Sequence, residues 1–172
     1  MQPEEWGPAP AVEFGPQGSP EYNVAVYILK NTVGLYLAFQ IEDPTFNELT
    51  DSLRVYFDVT NNAGDPDSAD RFFQITRDGT TTVQAGTETN TDSLDWDNSY
   101  SSNNWSAVVG EPGGNSWVVE MAIDAAEVPV LMDGNPFGMM SMVLYTGLLH
   151  SWPVGSVTDD AGTWQEVDNQ VC

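Results

Sequence analysis

The sequence predicts an all-β protein, an antiparallel, jelly-roll-like β-sandwich with minimal helix. Three observations lead to this fold class. Apolar residues recur at every second position in many short segments, which is typical of strands with one buried face. No segment carries the 3.6-residue apolar stripe of an amphipathic helix. Turn sequences rich in Gly, Asn, Asp and Pro separate the alternating segments, as expected where strands reverse direction.

Eight segments alternate strongly enough to be predicted as strands. In chain order they are Val24–Lys30, Gly34–Glu42, Leu53–Val59, Arg71–Arg77, Thr80–Ala85, Trp105–Val109, Ser116–Ile123 and Phe137–Tyr145. Polar turn sequences, such as Asn31–Gly34 and Asp78–Gly79, separate neighbouring strands. The one helix-like segment, Asp124–Leu131, predicts a single turn after a strand. The polar segments Thr60–Asp70 and Thr87–Asn104 are predicted as loops, and long loops on a rigid sandwich often carry function.

Charge and composition exclude several classes of partner. The chain has 172 residues, with 4 Lys and Arg against 26 Asp and Glu, a net charge of −22. So few cations argue against binding nucleic acid through its phosphates or docking on an anionic membrane. No apolar run approaches the roughly 20 residues that span a bilayer, so membrane insertion is not expected. Residues 1–172 are interpreted as one domain.

The surface composition indicates an extracellular setting. Lys30 is the one lysine, and Asp, Asn, Thr and Ser supply most of the polar residues. We therefore expect an extracellular or cell-surface protein from which a signal peptide has been removed. The lone cysteine, Cys172, cannot form an internal disulfide, and it is either an inert tail residue or an interchain link.

The loop after the third predicted strand is a candidate calcium site. Six oxygen-bearing side chains fall within thirteen residues, and Gly64 and Pro66 permit a tight wrap around a cation. The alternative is an acidic turn whose side chains cap backbone amides. The six candidate ligands are Asp58, Asn61, Asn62, Asp65, Asp67 and Asp70.

Tryptophans in polar sequence surroundings are candidates for sugar binding. Trp96, Trp105 and Trp152 lie in or next to polar loops, whereas Trp117 lies on the apolar face of a strand and is expected in the core. Exposed Trp on an acidic domain favours a partner, and the apolar faces of sugars stack well on indole. Trp152 is predicted to be the stacking platform, with Trp96 and Trp105 as rival candidates for an opposing ring.

Several catalytic and metal chemistries lack their residues. The sequence has one His and one Cys, which disfavours a zinc or copper centre built from those ligands. It has no Gly-x-Ser-x-Gly elbow and no phosphate-binding glycine loop. No pair of its acidic residues stands out for glycoside hydrolysis, so the protein is not expected to be an enzyme.

The order of these features resembles that of family 9 carbohydrate-binding modules and the wider DOMON-like superfamily. Similar segments are Glu5–Ala9, Tyr22–Tyr27, Gly34–Asp43, Asp51–Asp58, Trp117–Ile123, Phe137–Gly138 and Ser151–Pro153. The resemblance implies a β-sandwich, a secreted context, a polysaccharide or oligosaccharide bound between aromatic rings, and bound Ca²⁺. Trp152 matches a family Trp near the sugar site, and the loop after Asp58 matches the region of the cations.

Two further functions remain open. The sandwich is also suited to a structural or adhesive subunit of a cell surface or filament, which would self-assemble or belong to a larger multidomain chain. Some DOMON-like relatives bind b-type haem. The candidate axial ligands for haem here are His150, Lys30, Met139, Met140 and Met142.

Overall fold

The computed structural model is built of twelve short strands within the residues that it describes, which are 10–16, 19–45, 50–87, 96–111, 115–129, 135–145 and 148–167. The strands are β1 Val12–Phe14, β2 Val24–Lys30, β3 Gly34–Glu42, β4 Ser52–Asp58, β5 Arg71–Thr76, β6 Thr81–Gly86, β7 Trp96–Asp97, β8 Trp105–Gly110, β9 Ser116–Asp124, β10 Phe137–Tyr145, β11 Leu148–Trp152 and β12 Gln165–Val167. Helical structure in the described residues is limited to 3₁₀ turns at Pro20–Tyr22 and Ala161–Thr163. The predicted turn after β9 is present as hydrogen-bonded turns from Asp124 to Glu127.

The strands form two antiparallel sheets. One sheet has the order β1-β2-β3-β9-β8, and the other has the order β11-β10-β4-β5-β6-β7, with β12 pairing to β10. This architecture confirms the predicted antiparallel sandwich. The strands β1 and β11 lie at one edge of the two sheets, whereas β8 and the β6–β7 pair lie at the other edge.

The core lies between the sheets and follows the alternation of the sequence. Leu53, Val55 and Phe57 of β4 are completely buried, and their neighbours Val143, Ser141 and Met139 on β10 share the same face. Trp117 of β9 is also completely buried, which confirms its predicted place in the core. Because alternate residues face opposite ways, the sequence pattern fixes which side of each strand meets the other sheet.

A second apolar cluster covers part of the outer face of the larger sheet. Its central residue, Tyr56, stacks on Phe72 with ring centroids 4.7 Å apart and contacts Trp96 and Trp164 edge-on or tilted. Met140, Met142 and Ala161 complete the cluster. The polypeptide that follows β11 therefore folds back over this sheet and buries apolar residues that would otherwise face solvent.

Two arginines hold the sheets together at opposite ends of β5. Arg71, Phe73, Ile75 and Arg77 all point inward because they are spaced two residues apart. Arg71 Nε donates to Glu127 at 2.9 Å, and Glu127 follows β9 of the opposite sheet.

Arg77 forms the corresponding contacts at the other end. Its guanidinium lies 3.1 Å from Asp43, 3.6 Å from Asp51 and 2.7 Å from Glu111. Asp43 and Glu111 follow strands of the opposite sheet. Burial lowers the pKa of Arg77, but the hydrogen bond and charge of Glu111 and the charges of both aspartates outweigh it and raise the pKa overall.

We expect Arg77→Met to destabilise the protein by about 3–5 kcal/mol, because it leaves Asp43 and Asp51 buried without their cation. Urea unfolding followed by tryptophan fluorescence measures this loss. Lys30→Met removes the same charge from the partly exposed end of β2 and should change stability by less than about 1 kcal/mol. Equal effects of the two substitutions would contradict the structural role of Arg77.

Candidate functional site

A groove containing Trp152 lies at one edge of the sandwich, between β1 and β11. Its volume is about 830 Å³. Glu13, Phe14, Gly15 and Pro16 form one wall, and residues 149–152 and 154–157 form the other. The volume falls within the roughly 300–1,000 Å³ typical of ligand pockets. Edge strands of the two sheets are not hydrogen-bonded to each other, so the gap between them stays open to a ligand.

Trp152 is positioned in this groove by strand pairing and by contact with the core. It ends strand β11, where it pairs with Ser141 of β10, and it packs against the main core while remaining partly exposed. The peptide bond to Pro153 is cis. Val154, which is 87% exposed, forms part of the rim. A partly exposed indole that lines a groove is a suitable platform for stacking a flat apolar face of a ligand.

His150 lines the same groove and carries a buried polar atom. Its Nε2 is buried and has no hydrogen-bond partner among the described residues. The imidazole lies 5.6 Å from the ring of Tyr145, whose hydroxyl donates to the carbonyl oxygen of Tyr22 at 3.0 Å. Burial lowers the pKa of His150 below its ordinary value of 6.5. The groove therefore presents a neutral imidazole at neutral pH.

We expect His150 to titrate below pH 6.5, because burial disfavours its charged form. The neutral form thus adds stability above pH 6.5, and this contribution is lost as the pH falls. The chain has a single His, so one pair of imidazole NMR signals reports the midpoint without assignment. A midpoint at or above 6.5 would show that the ring is solvated.

The three tryptophans predicted to bind sugar are not brought together. Trp96 belongs to the cluster on the outer face of the larger sheet, where it stacks on Trp164 at 6.4 Å with an interplanar angle of 12°. Its indole Nε1 donates to the carbonyl oxygen of Thr158 at 3.3 Å. Trp105 lies on β8, at the opposite edge from Trp152. Neither Trp96 nor Trp105 therefore faces Trp152 as an opposing ring.

The acidic loop after β4 is organised by hydrogen bonds to its own backbone. Asp58 accepts from the backbone N–H groups of Asn62 and Ala63, at 3.2 and 3.0 Å. Asp70 accepts from those of Val59 and Asp67, both at 2.9 Å. These contacts are the capping arrangement that competes with calcium ligation as an explanation of the sequence.

The remaining predicted calcium ligands extend the same network. Asp67 accepts from the amide of Asn62 at 2.8 Å and from the backbone of Ala69 at 2.7 Å. Asn61 donates to Glu166 at 2.9 Å, and Asp65 is exposed. In the part of the chain that the structure describes, no three His, Cys, Asp or Glu side chains are grouped so as to hold a metal ion. The six residues lie in one loop, but the described geometry is that of backbone caps.

We expect Asp70 to titrate at about pH 6. Burial is the main cause of its raised pKa, and the charges of Asp67 and Asp58 add to it, although the two N–H donors oppose the shift. A raised carboxyl pKa means that this group contributes most stability below pH 3.8 and loses that contribution as the pH rises to about 6. Carboxyl-detected NMR measures both this midpoint and that of Asp78, a control whose pKa is lowered by hydrogen bonds to Thr76 and Thr80. A midpoint near 4 for Asp70 would contradict the prediction.

The residues suggested as haem ligands point in different directions. His150 pairs with Val143 on the inner face of the larger sheet, whereas Met140 and Met142 belong to the cluster on its outer face. Met139 is buried in the main core, and Lys30 ends β2 in the other sheet. The structure thus does not bring these five side chains together around one cofactor.

The fold is similar to that of solved carbohydrate-binding modules. No protein-family model matches the sequence, and no curated protein is significantly similar to it. A family 9 carbohydrate binding module from Caldicellulosiruptor kristjanssonii, in complex with cellotriose, matches with a TM-score of 0.64 and 15% identity, over 92% of this chain and 79% of that one. Its complex with glucose matches with the same TM-score and 14% identity, over 93% and 81%. At these identities the likeness shows the fold, and it confirms the structural side of the resemblance.

Several groove residues were missed by the sequence reading. Phe14 and Glu13 lie on β1, a three-residue strand too short to show alternation. His150 stood out only as a possible haem ligand, although it lies two residues before Trp152 on the same face of β11. That i, i+2 spacing of His and Trp is the one signal that could have joined them in a single site.

Proposed function

We propose that this chain is a non-catalytic carbohydrate-binding domain whose sugar site is the groove at Trp152. The observation that carries the proposal is the groove itself, in which a partly exposed indole lies near a histidine whose buried Nε2 has no hydrogen-bond partner among the described residues. It lies on a sandwich similar in fold to modules solved with cellotriose and with glucose.

The chemistry of the groove suits a neutral glycan. Trp152 and Val154 offer apolar surface for the C–H faces of a sugar ring, and the hydroxyl of Ser151 offers a hydrogen bond to its hydroxyls. A net charge of −22 repels sulfated and uronic sugars, particularly at low salt. We therefore propose a neutral polysaccharide or oligosaccharide as the ligand.

The lining of the groove favours binding over hydrolysis. Glycosidases generally act with two carboxyl groups placed about 5–9.5 Å apart across the scissile bond. Among the described residues that line the groove, Glu13 is the one carboxylate.

The charge and surface composition support an extracellular setting for such a module. Across the described residues, no helix has both the length and the apolar character needed to cross a membrane.

A structural or adhesive role is the second candidate, and it is favoured by a specific feature of the same edge. Leu148 and Leu149 of β11 are about half exposed, and Val154 and Val157 of the following loop are also exposed. An apolar edge of this kind fits a second copy of the chain as well as a sugar. The adhesive role predicts concentration-dependent assembly, which sedimentation velocity detects, and no response to glycan.

We expect Trp152→Ala to weaken cellotriose binding at least about tenfold, because it removes the stacking surface. Isothermal titration calorimetry measures this loss, and circular dichroism checks that the variant is folded. Val154→Glu places a charge on the exposed rim without touching the core, and it should also weaken binding. Its matched control is Val108→Glu on β8, which is likewise exposed and lies at the other edge. Unchanged affinity in both groove variants would contradict the proposed site.

Calcium binding by the loop from Asp58 to Asp70 stays a prediction that is tested separately from sugar. A cation would relieve the repulsion among Asp58, Asp67 and Asp70, and binding to the folded state alone raises the melting temperature. We expect a higher melting temperature in millimolar CaCl₂ than in EDTA at equal ionic strength. Replacing Asp65 and Asp67 by Asn should abolish the difference. Equal melting temperatures in the two buffers would assign the carboxylates to backbone capping alone.

A further inference from the structure

Trp105 occupies the edge of the sandwich opposite the proposed sugar groove. It is the first residue of β8 and pairs with the buried Ile123 of β9, so its side chain points inward between the sheets. The indole meets Phe73 of the other sheet edge-on, with ring centroids 5.0 Å apart. It remains partly exposed at this edge, where β8 of one sheet and the β6–β7 pair of the other are not hydrogen-bonded to each other.

A cleft of about 300 Å³ opens beside Trp105 in this gap. It is lined by neutral polar and aromatic side chains, among them Thr81, Thr82, Asn98, Tyr100, Ser101 and Ser102. None of the described residues lining it is Asp, Glu, Lys, Arg or His. In a chain with 26 acidic residues, a concave site without a carboxylate favours an uncharged ligand that forms hydrogen bonds.

A second cavity, of about 270 Å³, reaches Trp105 from the outer face of the smaller sheet. Tyr36 and Ser106 line it, together with Asn103, Asn104 and Asp124. Trp105 thus separates two small cavities, each of which has an additional tyrosine. A ligand in the edge cleft can therefore extend toward the outer face of the smaller sheet.

The wall of the edge cleft is held in place before any ligand binds. Tyr100 donates its hydroxyl hydrogen to Glu127 at 2.7 Å, and its ring lies under the guanidinium of Arg71 at 4.7 Å. The hydroxyl of Ser102 also donates to Glu127. Asp97 accepts from both the backbone and the hydroxyl of Ser99. A preformed wall reduces the entropy lost on binding.

We infer that the Trp105 cleft is a second binding site for neutral sugar, separate from the Trp152 groove; this inference rests on the proposed function for the class of ligand. The indole and Tyr100 supply apolar surface for a sugar ring. Thr, Ser and Asn side chains supply donors and acceptors for its hydroxyls. The small volume suits a single sugar ring or a chain end.

The two sites lie too far apart to hold one sugar ring between them. Edge strands of a five-stranded sheet are separated by about 19 Å, at about 4.8 Å per strand interval. The domain is therefore bivalent, with one site at each edge. Such a molecule bridges two glycan chains, and its avidity for a surface rich in glycan exceeds the affinity of either site.

Calorimetric stoichiometry with cellotriose tests this inference. Ser101→Tyr fills the cleft from an exposed position and leaves the packing of Trp105 on Phe73 intact. Asn115→Tyr makes a comparable change at an exposed residue that lines neither site. We expect two sites per molecule in the unsubstituted protein and in Asn115→Tyr. One site should remain in Ser101→Tyr and in Val154→Glu, and none in the double variant.

A second readout follows each site separately. The indole NMR signal of Trp105, identified by its loss in Trp105→Phe, should shift with cellotriose in Val154→Glu but not in Ser101→Tyr. The His150 signals should behave in the opposite way.

Each outcome separates the two proposals. One site per molecule that Val154→Glu removes and Ser101→Tyr leaves intact would overturn the second site and retain the proposed function. Binding removed by Ser101→Tyr alone would leave the Trp105 site and overturn the groove. No binding at all would overturn both. A concentration-dependent dimer that Ser101→Tyr disrupts would make the cleft a protein interface and would also overturn the inference.

Discussion

The ion pairs at the two ends of β5 are the constraint on which the rest of this structure depends. The chain has four basic side chains, and two of them, Arg71 and Arg77, face inward at opposite ends of a single strand. Each contacts a carboxylate from the opposite sheet, so the two sheets are joined at both ends of the core. In so acidic a chain, this placement allows Asp43, Asp51 and Glu127 to be buried, because each has a cation nearby.

Arg71 also links the acidic loop to the Trp105 cleft. Its Nη1 donates to the backbone carbonyl oxygens of Ser68, Ala69 and Asp70, each at 2.9 Å, and so fixes the end of the loop. Its partner Glu127 accepts from Tyr100 and Ser102, which fixes the wall of the cleft. One guanidinium therefore orders two surface segments that are separate in sequence. The sequence predicts both segments as polar loops and carries no signal that joins them.

The long strands could be predicted from the sequence, whereas the short edge strands and the grouping of the tryptophans could not. Strands such as β3, β4 and β9 are seven to nine residues long and carry apolar residues at alternate, inward-facing positions, so their alternation is visible. The strands β1, β7 and β12 have two or three residues, which is too few to show a period.

The environment of a Trp side chain depends on which distant segments of the chain pack against it. Trp96 sits among polar residues in sequence, yet it is covered by Trp164, sixty-eight positions later. The side chains predicted as calcium ligands do lie together in one loop. The composition of that loop is the same whether its carboxylates surround a cation or cap backbone amides.

The packing of the segment after β11 explains why the candidate sugar sites lie at the edges of the sandwich rather than on the outer face of its larger sheet. The segment after β11 lays Ala161 and Trp164 over Tyr56 and Phe72, so the aromatic part of that sheet's outer face is already occupied. At each edge, by contrast, the outermost strands of the two sheets diverge without pairing. An inward-facing Trp from one strand fills part of the gap: Trp152 lies at the edge formed by β1 and β11, and Trp105 lies at the edge formed by β8 and the β6–β7 pair. Each indole is held by the core on one side and exposed to a cavity on the other. An open sandwich with a large aromatic residue at each edge thus produces two partly apolar clefts from the packing of its core.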